Sequence, residues 1–408
     1  MGLLQEANDG GDGFSISRPN YEAEISYEKS WGARARKLWE AKFGEMAEIA
    51  ATDSVFVYTG IGGAPGGNRS VEVRTFGDGS IVAPYYDLQA TFGRVPKMLF
   101  LCAAPTSADH ALNLTGLART YKEEQGVEAV IAVMTGIPHE REDHHFIGKD
   151  GLPIRQVTTL KDVVRMLATN IDGGLIVQPH SLRSVEFGFR YGFPLLPIDP
   201  FKLMMRKIQV NRDEVGVVMG PDKGRKDEGR MAASWLGWYM ASAEKTRDRE
   251  GDGTPVMYIP PKVLEFIQKH NLPVFIYDDE VREGGTVGGL ARALAGYARY
   301  IDLCIVKMIC AKKQENGRSQ IITPKTAVDH LGHELIRHIT TTDAVSPLLD
   351  LTPIQQKLDV IPLEPDLQKL VHFLQNNLVR PGDPQWLRNS DQTGTLLRLD
   401  LSVEAIKF

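Results

Sequence analysis

Cysteine is scarce in this chain of 408 residues: Cys102, Cys304 and Cys310 are its only three, an odd number, each set in an apolar run. That pattern argues for buried, reduced thiols and against a disulfide framework or a thiolate metal site. Long hydrophobic runs are also missing, since no window approaches the ~18 uninterrupted apolar residues of a membrane span. Charge of one sign is nearly absent as an excess. A net charge of −5 offers no basic surplus to nucleic acid or to an anionic membrane surface. The opening "MGLLQEANDGGDGFSISRPN" has neither a basic n-region nor an apolar h-region, so no secretory signal is read there. Glu6 stands where an N-myristoylation start asks for Ser or Thr. These absences predict a cytoplasmic protein without a nucleic-acid or membrane partner.

What is present is an ordinary globular composition, 42% hydrophobic, on a chain long enough for two domains. Residues 1–22 are polar and glycine-rich and read as a flexible arm. Beyond them, short apolar runs alternate with amphipathic segments. "SVFVYTG", "KMLFLCAAP", "AVIAVMTGIPH" and "GGLIVQPHS" read as strands, and "HALNLTGLARTYKEEQ" and "TLKDVVRMLATN" as helices between them. The alternation resumes after residue 200 with "EVGVVMGPD", "GRMAASWLGWYMA", "LPVFIYDDE", "GLARALAGYARY", "DLCIVKMIC" and a late helix "DLQKLVHFLQNNLV". Continuous apolar strands alternating with helices predict an α/β protein whose mainly parallel sheets are covered on both faces. The expected division is an arm at 1–22, one domain at 23–200, a second at 201–365, and a terminal helix and tail at 366–408.

Ligands of open α/β sheets bind at the carboxyl ends of the strands, and polar clusters fall at those exits. In "DDEVREGGT" two acids, Asp278 and Asp279, precede a glycine turn, Gly284-Gly285-Thr286, that opens a helix. Glycines let backbone N–H groups face an anion, and a helix start adds its partial positive charge, so the segment can cradle a phosphate. A plain glycine turn with solvated acids is the competing reading. "GPDKGRKDEG" sets Asp222 among Lys223, Arg225 and Lys226, which suits a metal-bound polyphosphate or an ordinary charged loop equally. "ASAEKTRDRE" carries Lys245, Arg247 and Arg249 beside "GDGTP", predicting a mobile basic loop able to close over a transferring phosphate, or a solvated face. "GIPHEREDHHFIG" holds Arg141 and Asp143 but lacks the spacing of an H-E-x-x-H zinc helix. His180 in "VQPHSLRS" is a Mg²⁺ ligand, a base or a structural histidine.

The order of these clusters resembles the ribose-phosphate diphosphokinases (phosphoribosyl pyrophosphate synthetases) and, more distantly, type I phosphoribosyltransferases. The similarity runs from about Val55 to about Leu378. "RTFGDGSI" looks like the family's adenine-binding segment, with Phe76, Asp78 and Gly79 on its F-x-[ND]-G. Arg141 matches an arginine that contacts ATP phosphates, and Asp143 falls in the same ATP loop. "LIVQPHSLRSVEFGF" resembles the segment carrying a metal-binding histidine, here His180. "VGVVMGPDKGRKDEG" places Asp222 on the aspartate linked to Mg²⁺ and ribose. "EKTRDRE" matches the catalytic flexible loop and its K-x-R pair, Lys245 and Arg247. "FIYDDEVREGGTV" resembles D-D-x-x-x-[TS]-[GA]-G-T, in which the acids meet the ribose hydroxyls and the glycine turn holds the 5′-phosphate. "HITTTDAVSPLLD" is similar to a late V-T-[DN]-T-[IV]-P segment.

The resemblance implies two phosphoribosyltransferase-like domains, an ATP side and a ribose-phosphate side. It implies an enzyme, a diphosphotransferase, that moves the β,γ-diphosphate of ATP to the C1 hydroxyl of a ribose 5-phosphate moiety and releases AMP. Lys245, Arg247 and His180 would then be catalytic. Phe76, Asp78, Gly79, Arg141 and Asp143 would bind ATP. Asp222, Asp278, Asp279, Arg282, Glu283, Gly284, Gly285 and Thr286 would bind the ribose phosphate, and His180 and Asp222 would hold Mg²⁺. A homo-oligomer built from dimers, up to a hexamer, is the implied assembly. This chain departs from the pattern at Ser80, where the family has glutamate, and at Gln178, where it has aspartate. Glu283 replaces the threonine of the phosphate loop, with Arg282 before it. A carboxylate against a doubly charged phosphomonoester in a half-buried loop is costly. A singly charged phosphodiester fits better, so the expected acceptor is ribose 5-phosphate, giving PRPP, or a 5′-extended ribose such as ADP-ribose, giving its pyrophosphate. A phosphoribosyltransferase and a catalytically weak regulatory homologue of the synthetase are the alternatives.

Overall fold

The computed structural model describes residues 38–39, 41–42, 53–63, 74–75, 81–82, 85–142, 158–211, 213–221, 226–247, 255–310, 327–347, 349–377 and 397–398. Contacts gather them into two compact units. One takes the described residues of Glu24–Leu203, Asp343–Ser346 and Pro362–Phe408, and the other those of Met204–Thr342 and Pro347–Ile361.

The first unit is built on strands β1 (Ser54–Tyr58), β2 (Met98–Ala103), β3 (Ala129–Met134), β4 (Gly173–Val177) and β5 (Leu195–Asp199). They lie side by side in chain order, and every ladder between them is parallel. Leu397–Arg398 adds a short parallel pairing beyond β5. Each residue of β2, β3 and β4 is buried, as expected of a parallel sheet covered on both faces. Helices α1 (Ala108–Glu123), α2 (Thr159–Leu167) and α3 (Arg183–Arg190) are the crossovers. Helix α1 starts where Ser107 Oγ accepts the His110 N–H at 3.2 Å, a side-chain N-cap. It buries Ala111, Leu114, Thr115, Leu117, Ala118 and Tyr121, the three-and-four spacing of one helix face. "PLLPIDP", read from sequence only as a connection, is strand β5: its prolines flank or sit within an apolar run whose five central residues are all buried.

Helix α4 (Phe201–Lys207) carries the chain onward to the second unit. There the strands are β6 (Val217–Gly220), β7 (Tyr239–Ser242), β8 (Glu244–Arg247), β9 (Pro255–Tyr258), β10 (Val274–Val281), β11 (Ile301–Met308), β12 (Ile336–Thr342) and β13 (Leu358–Ile361). The main sheet runs β7-β6-β10-β11-β12-β13, again parallel, while β8 and β9 form a separate antiparallel pair. Helices α5 (Lys226–Leu236), α6 (Pro261–Lys269), α7 (Gly285–Leu294) and α8 (Ala327–Leu331) join the strands. A continuous core lies within this unit, with Val274, Ile276, Leu290, Leu294, Ile301, Leu303 and Ile339 among its members. "GRMAASWLGWYMA" divides into the end of α5 and the strand β7 at Gly237, whose φ of 68° suits a residue without Cβ. Beyond β13, α9 (Glu364–Asn377) belongs to the first unit, where Gln368 Nε2 donates to the Tyr58 hydroxyl at 3.0 Å.

All three cysteines are buried and unpaired with one another. Burial pushes the Cys102 and Cys304 thiols up and the Cys310 thiol to about 11, so each stays protonated and unreactive at neutral pH. No described helix is long and apolar enough to cross a membrane.

Candidate functional site

Open α/β sheets bind ligands outside the carboxyl ends of the strands, at the point where strand order reverses. In the second unit that reversal lies between β6 and β10: the chain adds β7 on one side of β6 and β10 on the other. Their ladder is short. Val217 pairs with Val274 and Val218 with Phe275, and the pairing ends there. By contrast, β6 stays paired with β7 as far as Gly220 and Ser242, and β10 with β11 as far as Val281 and Met308. Strands β6 and β10 therefore diverge toward their carboxyl ends. Those ends lead into "GPDKGRKDEG" and "REGGT", two of the clusters singled out by sequence.

The acids of "DDEVREGGT" do not follow the strand but form its last part. Asp278, Asp279 and Glu280 are all buried within β10. Asp278 Oδ1 accepts the N–H of Asp279 at 2.9 Å. Past Val281 the chain turns at Gly284, which has a φ of 75°. A Cβ there would also stand 3.0 Å from Ala327 Cα, so this position asks for glycine on two counts. Helix α7 then begins at Gly285, with Gly288 N–H donating to Gly284 O at 2.8 Å. The first-turn N–H groups of a helix lack intrahelical acceptors, and Thr286 stands among them. The described loop is thus an anion cradle in form. Arg282 Nε donates to Glu280 Oε1 at 2.9 Å, whereas Glu283 is exposed.

Lys245 reaches this cradle from another part of the chain. It lies on β8, opposite Met257 of β9, and its ammonium donates to Thr286 Oγ1 at 2.9 Å. Met257 is buried in the core of this unit and β9 packs against α7, which anchors the hairpin beside the glycine turn. The sequence alone predicts a mobile basic loop around Lys245. Its segment is instead half of a hairpin, and the signal that finds it is "PVMYI", a β-forming run a few residues downstream. Arg247 ends β8 opposite Pro255, and its side chain lies outside the described residues.

The first unit holds the remaining described candidates. Arg141 is exposed in the turn after β3, where His139 has a φ of 61° and its Nδ1 lies 2.8 Å from Glu142 Oε1. His180 is half-buried just beyond β4, following Gln178, whose φ is 41° and whose N–H donates to Ile198 O at 2.8 Å. Left-handed backbone at residues other than glycine is uncommon and costs about 1–3 kcal/mol. Gln178 adopts it directly after β4, Cys310 two residues after β11, and His139 in the turn that follows β3. Strain of this kind concentrates at functional sites, and sequence reasoning had no means of seeing it. Phe76, Asp78, Gly79, Asp143 and Asp222 lie outside the described residues. Among the described residues, no group of three or more His, Cys, Asp or Glu side chains gathers as a metal cage.

Comparison with known proteins separates fold from sequence. No protein-family profile matches the chain, and no curated protein sequence does. Among solved structures, the fold is similar to the crystal structure of phosphoribosylpyrophosphate synthetase from Mycobacterium smegmatis. The TM-score is 0.57 at 18% sequence identity, covering 75% of this chain and 90% of that one. At that identity the likeness establishes the fold: two mainly parallel sheets flanked by helices, as in that two-domain enzyme.

Proposed function

We propose that the chain is an ATP-dependent diphosphokinase acting on a ribose phosphate. The anomeric C1 hydroxyl attacks the β-phosphorus of ATP. The bond from that phosphorus to the α,β-bridging oxygen breaks, AMP departs with the oxygen, and the hydroxyl proton passes to solvent or a nearby base. Such a transfer needs positioning and charge neutralisation more than covalent chemistry. The observation that carries this reading is the contact of Lys245 with Thr286. A cation meets the first turn of a glycine-started helix, beside the buried acids Asp278 and Asp279 and next to the strand-order reversal. In this assignment Asp278 and Asp279 orient the ribose hydroxyls. Gly284, Gly285 and Thr286 seat the 5′-phosphate, and Lys245 with Arg247 neutralises the transferring diphosphate. Phe76, Asp78, Gly79, Arg141 and Asp143 are assigned to ATP.

Mg²⁺ is proposed to arrive with the ATP phosphates. It keeps water and substrate oxygens as ligands and asks only one or two groups of the protein. This suits His180, a half-buried histidine at a strand exit. Asp222 is the other assigned ligand. When bound, the ion would neutralise and polarise phosphate oxygens. Glu283 is exposed, which supports ribose 5-phosphate as an acceptor because that carboxylate is open to solvent. Arg282 supports a 5′-extended ribose such as ADP-ribose beside it. A homo-oligomer is the proposed assembly.

The test is direct. Purified protein is incubated with ATP, Mg²⁺ and either ribose 5-phosphate or ADP-ribose, with AMP quantified and products weighed by mass spectrometry. AMP formation matched by an acceptor heavier by one diphosphate supports the proposal. Absence of AMP with both acceptors overturns it. Diphosphate release from an activated sugar and a base without ATP would instead identify a phosphoribosyltransferase.

A further inference from the structure

The loop contains a charged group that the cradle itself does not require. Glu280 is 3% exposed and Lys307 2%, and they face each other as register partners on the adjacent parallel strands β10 and β11. Register partners in a parallel ladder project to the same face of the sheet. Arg282, two residues after Glu280, returns to that carboxylate through its Nε at 2.9 Å. The two side chains differ in exposure, 1% for Glu280 and 34% for Arg282. Glu280 is thus a buried anion that grips the root of a half-exposed guanidinium. Among the described residues, Arg282 makes no other polar contact.

Stability alone is a poor reason for this arrangement, because apolar residues of similar volume often serve a buried site as well or better than an ion pair. Orientation is a better one. A guanidinium gripped at Nε keeps two terminal nitrogens in a fixed fork, the geometry that takes a phosphoryl oxyanion in a bidentate manner. Arg282 stands two residues before the Gly284 turn that opens α7, on the segment that leads into the cradle.

We propose that Glu280 is a positioning residue that aims Arg282 at a second phosphoryl group of the acceptor, beyond the one seated at the glycine turn. This inference rests on the proposed function and deepens it: the acceptor class it selects is a ribose whose 5′-phosphate continues into a diphosphate.

The experiment compares binding of ADP-ribose and ribose 5-phosphate by calorimetry, and their KM values in AMP formation, for the full chain and three variants. Arg282→Ala is expected to lower the ADP-ribose preference at least tenfold. Arg282→Lys, which keeps charge but loses the fork, should recover only part of it. Glu280→Gln should shift the KM ratio of the two acceptors in the same direction by about fivefold, because a neutral amide holds Nε less firmly. A purely structural role would change both acceptors in proportion and leave the ratio fixed, and that outcome overturns the proposal. So does failure of the full chain to bind ADP-ribose. If Glu280→Gln does not fold, the two Arg282 variants decide alone. Absence of AMP with both acceptors would remove the diphosphokinase reading, while the binding ratio would still judge Arg282.

Discussion

Lys245 Nζ lies 2.9 Å from Thr286 Oγ1, across 41 residues of sequence, and so ties the β8–β9 hairpin to the first turn of α7. A hydroxyl in the first turn of a helix and an ammonium beside it form one electrostatic feature, since the helix end carries about half a positive charge of its own. An incoming phosphate would meet both. Replacing Lys245 by alanine is expected to reduce AMP formation by about 10²–10³-fold, the usual effect of deleting one preorganised donor to developing charge. Circular dichroism should show an unchanged fold, because the lysine is only partly buried. Retention of full turnover by Lys245→Ala would remove Lys245 from the site.

The glycine turn makes a separate prediction about stability. Gly284→Ala must hold a Cβ at a φ of 75° and 3.0 Å from Ala327 Cα, backbone that cannot swing aside. Gly288→Ala would set its Cβ 2.2 Å from His330 Nδ1, so the imidazole must move or α7 must shift. Each is expected to cost about 1–3 kcal/mol, read as a lower urea midpoint with an unchanged m-value. Gly93→Ala meets no atom within 4 Å and bears only the positive-φ strain, at 72°. It should therefore lose less than Gly284→Ala.

Much of this architecture was legible because apolar runs of five to eight residues are hard to mistake. β2, β3, β10 and β11 coincide with "KMLFLCAAP", "AVIAVMTGIPH", "LPVFIYDDE" and "DLCIVKMIC". The likeness to a phosphoribosylpyrophosphate synthetase fold was legible too, through the order of motifs rather than any one of them. Three things were not. Strand β10 continues through Asp278, Asp279 and Glu280, because ladder hydrogen bonds to β11 override the poor β-propensity of acids. The β8–β9 hairpin hid inside a charge run, since Lys, Thr and Arg alternate without an apolar face until paired with Met257. The association of α9 with the first unit is a contact between residues as distant as Tyr58 and Gln368, which periodicity cannot encode.

His110 gives the first unit a pH dependence. Thr106 N–H and Oγ1 stand 3.3 and 3.2 Å from its Nδ1, and burial lowers its pKa below the ordinary 6.5. A folded pKa below the unfolded one means that the unfolded chain binds more protons between the two values. The contribution is therefore fully present above pH 6.5 and is lost as pH falls through the folded pKa. Urea midpoints measured from pH 7.5 to 5 should fall on the acid side, and His110→Gln should flatten that part of the profile. An identical slope in His110→Gln would show that other groups set it.

The buried acid Asp302 and its partner Arg337 allow the burial cost of a charge to be separated from its pairing. Arg337 Nε and Nη2 donate to the two carboxylate oxygens at 3.0 and 2.5 Å, and its guanidinium lies 3.6 Å over the Tyr300 ring. Burial nevertheless outweighs these attractions and raises the Asp302 pKa above 3.8. A raised acid favours folding most when protonated, so its contribution is complete below 3.8 and is lost as pH rises through the folded value. Arg337→Ala removes the groups that hold that value down and leaves the carboxylate buried. The expected cost is about 2 kcal/mol at pH 7.5, toward the low side for a broken pair because solvent reaches the guanidinium. That deficit should shrink at pH 4.5, where more of Asp302 takes a proton. Asp302→Asn keeps an acceptor for Arg337 while relieving the charge, and should stay within about 1 kcal/mol of the parent chain. Urea unfolding of both variants at the two pH values decides the matter. A deficit for Arg337→Ala that is equal at pH 4.5 and 7.5 would mean that the guanidinium acts through its packing on Tyr300 and not through the Asp302 charge.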